Sequence, residues 1–476
     1  MKTKIWMSLT AIAALSALTI PAQLAAQHTR FKLIDMGTLG GPNGGLSGPG
    51  LQVINNRGAS AAWANTSTAN PNSGCYIDFG PPDCFVEQPL VWQNGIVSVL
   101  PVLPGGANGS ANSISSSGLI AGDTENGLID PMTGLPEGHA VLWTKDGGIT
   151  DLGTIPGGTE SLATSANSRG QVVGFANNDV TDAFSLAGFP TQTRAFLWQN
   201  GALRDLGTLG GPDALANGIN ERGQVAGFSY TSTLALDPFL WEHGAMIDLG
   251  NLGGTFGSEN WLNNRGQVVG NMNLAGDVNY HGFLWDRGYL LDLGTLGGND
   301  SEANWISDSG LVVGRADIPG SQTHHAFLWN NHAMSDLGVI APWPCSTALS
   351  VNSMAQVVGD TGICGEGGGP AFFSENGQPV VDINTLVLGG SDLEVVEPYD
   401  INERGEIAAT AILPSGDQHG VVLVPASEDE IAAASARGIS QSTPTTVHGI
   451  VRNSENSPFR GYDRARNIFR KTPRQP

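Results

Sequence analysis

Four histidines in matching sequence surroundings are the residues best placed to do chemistry. His139, His281, His325 and His419 each stand before Gly or Ala and then a short apolar run. Imidazole exchanges protons near neutral pH, so a recurrent His is a natural candidate base or metal ligand. Two features argue for a structural role instead. Equivalent slots hold Arg194, Asp237 and Pro370, which cannot do the same job. Copies of one repeat position are also spread through a fold, whereas a catalytic constellation must converge. We therefore expect these histidines to hydrogen-bond strands within a sheet. The chain has no Gly-x-Ser-x-Gly elbow to present a nucleophile. It also lacks Cys-x-x-Cys pairs and an Asp-x-Asp-x-Asp-Gly calcium loop, and His324–His325 is a lone pair. Gly-Gly in Thr-Leu-Gly-Gly has no following Lys to complete a phosphate cradle and reads as a turn. The expectation is no catalytic residue, no metal and no cofactor.

Two adjacent units place Trp261 and Trp305 at one register, where other units carry Ser113, Ser165, Gly218 or Ser350. Aromatics at a common register either stack a flat ligand such as a sugar or pack between sheets; both readings stay open at this point. The chain has four cysteines, which allow three pairings. Spacing favours Cys75–Cys84, flanking a Gly/Pro-rich insertion, and Cys345–Cys364, flanking a hairpin with its turn near Ser353–Met354. Opposed residues of a hairpin have a nearly constant index sum, and 345 + 364 = 709 lies close to the 707 of that turn.

The elements that must position these residues are repeats. Three patterns recur in fixed order, eight times each: Ile-Asn-x-x-Gly-Gln-Val-Val-Gly (Ile219–Gly227), His-Ala-Phe-Leu-Trp (His325–Trp329) and Asp-Leu-Gly-Thr-Leu-Gly-Gly (Asp205–Gly211). Copies of the third pattern, beginning at Asp35 and ending at Asp382, are spaced 64, 52, 54, 43, 44, 44 and 46 residues apart. A floor near 44 with insertions above it is a structural repeat with variable loops. Each unit reads as four strands: a runs into Ile-Asn, b is Gln-Val-Val-Gly, c is Phe-Leu-Trp, and d runs into Asp-Leu-Gly. Asn-x-x-Gly makes the a–b turn, and Gln-Asn-Gly at Gln199–Gly201 makes a tight c–d hairpin. The predicted fold is all-β: a β-propeller of eight four-stranded blades. Its alternatives are seven blades, should the unit near Asp382 fail to form, or an open β-solenoid. Phase favours a ring, because the chain opens with a lone d strand (Phe31–Leu39) and its last unit stops after c (His419–Val424). The first segment can complete the last sheet and remove its open edge.

Between Asp35 and Val424 the chain resembles the HAF repeat proteins, predicted extracellular bacterial proteins named for the His-Ala-Phe of each unit. The resemblance rests on Ala-x-x-Ile-Asn-x-x-Gly-Gln-Val-Val-Gly, His-Ala-Phe-Leu-Trp and Asp-Leu-Gly-Thr-Leu-Gly-Gly. It implies secretion and a repeat scaffold, and brings no catalytic residue onto this chain.

The ends and the charge balance set the context. Lys2 and Lys4 precede an apolar run from Ile5 to Ile20 and small residues to Ala26, so residues 1–26 read as a signal peptide. Export, extracellular or periplasmic, permits disulfides. Beyond that run no stretch is apolar for long enough to span a membrane. Residues 27–425 form the repeat body, with 12 basic and 39 acidic side chains, net −27. Such a body repels nucleic acid and anionic lipid. Residues 426–476 hold 8 basic and 5 acidic side chains, with the basic ones gathered from Arg460 onward. They read as a flexible tail able to contact an anionic envelope surface. Insertions gather between strands b and c, at Ala61–Pro89, Gly122–His139 and Gly174–Arg194, so one rim varies while the other stays short. The sequence thus points to a secreted, non-catalytic binding or adhesion scaffold for an extracellular glycan or protein. The alternative is a glycan-acting lyase or hydrolase with carboxylates or His converging at the channel mouth.

Overall fold

The computed structural model describes residues 28–71, 84–320, 323–365 and 367–436. The signal segment and Cys75 therefore lie outside the described residues. Six four-stranded sheets stand alone, and an eight-stranded sheet is two more, joined by a single parallel bridge between Leu236 and Phe256. The described residues thus form eight four-stranded antiparallel sheets, one per repeat. Each sheet touches the next through its first strand, and the eighth touches the first. The protein is a β-propeller whose a strands form the inner wall.

The sequence patterns account for this arrangement locally. In the fourth unit, Asn220 ends strand Gly210–Ile219, and its Oδ1 accepts from the backbone N–H groups of Arg222 and Gln224. Gly223 closes that turn at φ +84°, a conformation that a side chain would strain. The Asn220 Nδ2 donates to Gln224 Oε1, at 2.8 Å, and to the carbonyl of Asn263 in the fifth sheet, at 3.0 Å. One residue therefore shapes its own turn and holds the neighbouring sheet. Asn55, Asn167, Asn263, Asn352 and Asn402 make the same inter-sheet bond at 2.9–3.1 Å. Units two and six carry Ser115 and Ser307 there, and each hydroxyl turns inward to cap its own loop. Three residues before the Asn or Ser, a second set crosses the seams: Asn112, Asn260 and Asn304 donate to Ala163, Ala303 and Ala348 carbonyls. In five units the c–d turn is a two-residue hairpin with positive φ at both positions, as at Asn200 (54°) and Gly201 (82°); the second and seventh units use five residues there.

Closure follows the expected phase. Strand Phe31–Asp35 pairs with Gln418–Pro425, Phe31 opposite Pro425 and Asp35 opposite Val421. The strand is shorter than the sequence pattern indicated. Asp35 Oδ1 takes the N–H of Gly37, whose φ of +68° turns the chain toward the first sheet. Phe31 is fully buried, and its ring meets Phe373 edge-on at 5.2 Å. Across the seam Asn402 Nδ2 donates to Asn55 O at 2.9 Å, the bond that joins sheets elsewhere in the ring. The unit near Asp382 does form its sheet, with a two-residue outer strand, Val381–Asp382, followed by a short 3₁₀ turn. After the last strand the chain enters helix Glu428–Ala436, the first part of the segment expected to be flexible. Ser427 caps its first turn, and Lys32 pairs with Glu430 at 2.8 Å. Residues 437–476 lie outside the described residues. No helix among the described residues is long and apolar enough to cross a membrane.

Candidate functional site

Each recurrent His has its partner in the same sheet. His139, His281 and His325 donate through Nδ1 to Asp151, Asp292 and Asp336, the Asp of Asp-Leu-Gly on the adjoining strand, at 2.8–3.0 Å. His419 makes that bond to Asp35, across the point where the ring closes, at 2.9 Å. In the third unit Arg194 replaces His and pairs with Asp205. These Asp residues also accept a backbone N–H two residues on, as Gly294 gives to Asp292. The pairs are strand ties, one in each of five sheets. The tie was expected and its Asp partner was not, although in three of the four pairs the Asp follows the His by 11 or 12 residues.

The fourth sheet breaks the pattern. Asp237 occupies the His slot opposite Asp248; burial, with the Asp248 charge added, pushes the Asp237 carboxyl up to about 6. Five other acids are displaced upward by burial: Glu160 to about 8, Glu259 to about 8, Asp400 to about 7, and Asp317 and Asp382 above the ordinary carboxylate value. Glu259 stands where five other units have Ala (Ala111, Ala163, Ala216, Ala303, Ala348), and takes one bond from Asn217 at 2.9 Å. These six acids belong to six different units, Glu160 standing just before its unit's first strand.

Trp261 and Trp305 stack on each other at 4.0 Å with 10° between the planes, and only 9% and 7% of their surfaces are exposed. Each spends a ring face on the other at the seam of the fifth and sixth sheets. Cys345 and Cys364 are joined, Cα to Cα 5.2 Å. Cys345 opposes Gly362, so the bond reaches two residues past register, to the residue just after the strand Gln356–Ile363. Cys84 is oxidised as well. His324, Cys345 and Cys364 bring three ligand-type atoms within 4.8 Å of one another. With the two sulfurs bonded, Cys345 serves instead as an acceptor for the His324 backbone N–H. Asn108, Glu160, Asp213 and Asp300 hold the corresponding position, and each accepts a backbone N–H from strand c of the preceding sheet. This clasp carried no recognisable pattern, because Asn, Glu, Asp and Cys share an acceptor and little else.

The two rims differ in what they expose. Among the described residues fourteen large apolar side chains are exposed, and nine lie on the hairpins joining strands b and c. Four belong to the second unit (Leu128, Ile129, Met132, Leu135) and two to the third (Val180, Phe184). Leu234, Val278 and Ile363 supply one each in later units. The a–b turns present one, Met354, and five arginines (57, 169, 222, 265 and 404). Arg57 and Arg222 donate to backbone carbonyls of the next turn. The two arginines toward the hairpin rim are both ion-paired, Arg194 with Asp205 and Arg315 with Glu302.

No family profile matches the chain, and no curated relative does. Among solved structures it is similar to the β-propeller domain of the Trilobed protease from Pyrococcus furiosus: 8% identity over 66% of this chain and 93% of that one, TM-score 0.41. TolB from Acinetobacter baumannii gives 11% identity over 60% and 75%, TM-score 0.32. Porphyromonas gingivalis dipeptidyl peptidase 4 gives 9% over 74% and 56%, TM-score 0.43. At these scores the fold assignment rests on this chain's own strand order.

Proposed function

We propose that this chain is an exported binding scaffold of the HAF repeat type. It would recognise an extracellular ligand, a glycan or a protein, through the rim carrying the b–c hairpins, and carry out no chemistry. One observation carries the reading: exposed apolar side chains concentrate on the hairpins of that rim and are nearly lacking on the a–b turns. Contiguous apolar surface on an otherwise polar protein marks an interaction site. The histidines and raised carboxyls support it, being committed to strand ties or buried in separate sheets. The leader at residues 1–26 and the oxidised cysteines agree with export. Screening the full chain on glycan and peptide arrays tests the proposal, alongside a variant with residues 126–135 replaced by a short Gly/Asn turn. Binding by the chain and its loss in the variant are expected. Turnover of an arrayed glycan without retention would favour the hydrolase or lyase instead.

A further inference from the structure

The b–c hairpins of the second and third units lie side by side and carry the densest exposed apolar surface on the rim. Leu128, Ile129 and Met132 are 58–60% exposed, and Phe184 is 67% exposed. Neither hairpin is a loose loop. Asp130 accepts the N–H groups of Met132 and Thr133 through Oδ1 and the Thr159 hydroxyl of the third sheet through Oδ2. This fixes the second hairpin's turn and docks it on its neighbour. In the third hairpin Leu186 is buried against Phe175 and Leu215, and Asp213 of the fourth sheet accepts its N–H. The apolar tips are thus held out on supports that order them before any partner arrives, which lowers the ordering cost of binding.

The charge around the tips has one sign. The strand pairs 120–143 and 172–199 contain six carboxylates (Asp123, Glu125, Asp130, Glu137, Asp179, Asp182) against one arginine, Arg194, which is tied to Asp205. Glu160 stands at the seam between these sheets, donated to by Gly138 N–H at 2.7 Å. Burial raises its carboxyl to about 8, and the nearby charges of Asp130, Glu137 and Asp123 add to that rise. An apolar surface inside a negative field complements a partner that is apolar and cationic at once, and repels an anionic lipid surface.

We propose that these two hairpins dock a Lys/Arg-rich amphipathic peptide segment of another protein: apolar side chains on the Leu128–Met132 and Phe184 tips, cationic ones among the carboxylates. This rests on the reading of the hairpin rim as the binding face and names the partner class for it.

The test uses the full chain and three labelled 18-residue probes of Lys/Leu, Glu/Leu and Lys/Ser composition, followed by fluorescence anisotropy. The Lys/Leu probe should bind, losing about tenfold in affinity between 50 and 300 mM salt, while neither control binds. Leu128→Ser/Ile129→Ser/Met132→Ser should weaken binding at least about tenfold, because exposed tips can be cut without unfolding the sheet. Asp179→Asn/Asp182→Asn should weaken it less and flatten the salt dependence, and Met354→Ser on the opposite rim should change nothing. Equal binding of Glu/Leu and Lys/Leu probes, or none of either, overturns the cationic assignment. If a neutral glycan is then retained and lost in the triple variant, the rim stands and only the partner class fails. Lys/Leu binding that ignores the triple variant overturns both. Binding that appears only after Arg460, Arg464, Arg466 and Arg470 are changed to Gln assigns the surface to the chain's own basic segment and overturns a separate partner.

Discussion

The two rims of this ring are built from the same eight repeats and have opposite characters. On one, the a–b turns repeat Asn-x-x-Gly with little change; their Asn side chains point into the molecule while their arginines lie at the surface. Asn220 bonds its own turn and the next sheet, and Arg222 donates to the next turn. On the other, the b–c hairpins differ in length and sequence from unit to unit and hold apolar tips in water. The difference teaches where constraint lies. A side chain that joins two sheets must match both, and Asn recurs in six of the eight turns. A hairpin that extends past the sheets answers only to its own strands and to what it meets.

That contrast can be broken from the structural side first. Deleting Phe31–Asp35 should have the largest effect. It uncovers strand Gln418–Pro425, removes a fully buried Phe that packs on Phe373, and leaves an open edge. The expected outcome is loss of the monomeric folded state, read by size-exclusion chromatography and circular dichroism. An intact monomer with an unchanged melting curve would contradict ring closure.

Asn220→Ala comes next. It strips the turn of the one oxygen that accepts two of its N–H groups, and the seam of its donor, so a loss of about 2–4 kcal/mol in denaturant unfolding is expected. A variant as stable as the parent would deny the turn rim its structural role.

The third effect depends on pH. Glu259 sits in an Ala slot, and burial raises its carboxyl to about 8 from an ordinary value near 4.5. The folded ring therefore binds a proton that the unfolded chain has released between those values. Stability from this group is complete below about 4.5 and is lost as pH rises through about 8. Glu259→Gln keeps an oxygen for Asn217 and should raise the thermal midpoint at pH 8 by several degrees, with little change at pH 4.5. Equal shifts at both pH values would refute the assignment.

The smallest effect belongs to the strand ties. His281→Ala removes a partly exposed pair with Asp292 and should cost no more than about 1 kcal/mol at neutral pH. A loss above about 3 kcal/mol would mean that the tie does more than join two strands.

Fold and site were legible to different degrees. The repeat period, the four strands, the c–d turns and the closing strand could be read, because each depends on local residue chemistry or on phase along the chain. The Cys345–Cys364 pair could be read from an index sum. What lay beyond the sequence was whatever crosses a seam. The acceptor shared by Asn108, Glu160, Asp213, Asp300 and Cys345 has no common residue type, and the stacking of Trp261 on Trp305 needs the angle between two sheets. The hairpin rim was located through its insertions. Its apolar tips were not, because Leu128 and Ile129 end a strand whose earlier residues face the core.

The most direct measurement replaces residues 126–135, the tip of the second unit's hairpin, with a five-residue Gly/Asn/Asp turn. Such a turn is of the kind that joins Val268–Leu274 to Tyr280–Asp286. The thermal midpoint and the affinity for the Lys/Leu probe are then read on the same sample. The account predicts a midpoint within about 2 °C of the parent and an affinity lower by at least about tenfold. Full binding by the shortened protein, or collapse of its folding transition, would contradict the division of labour between the two rims.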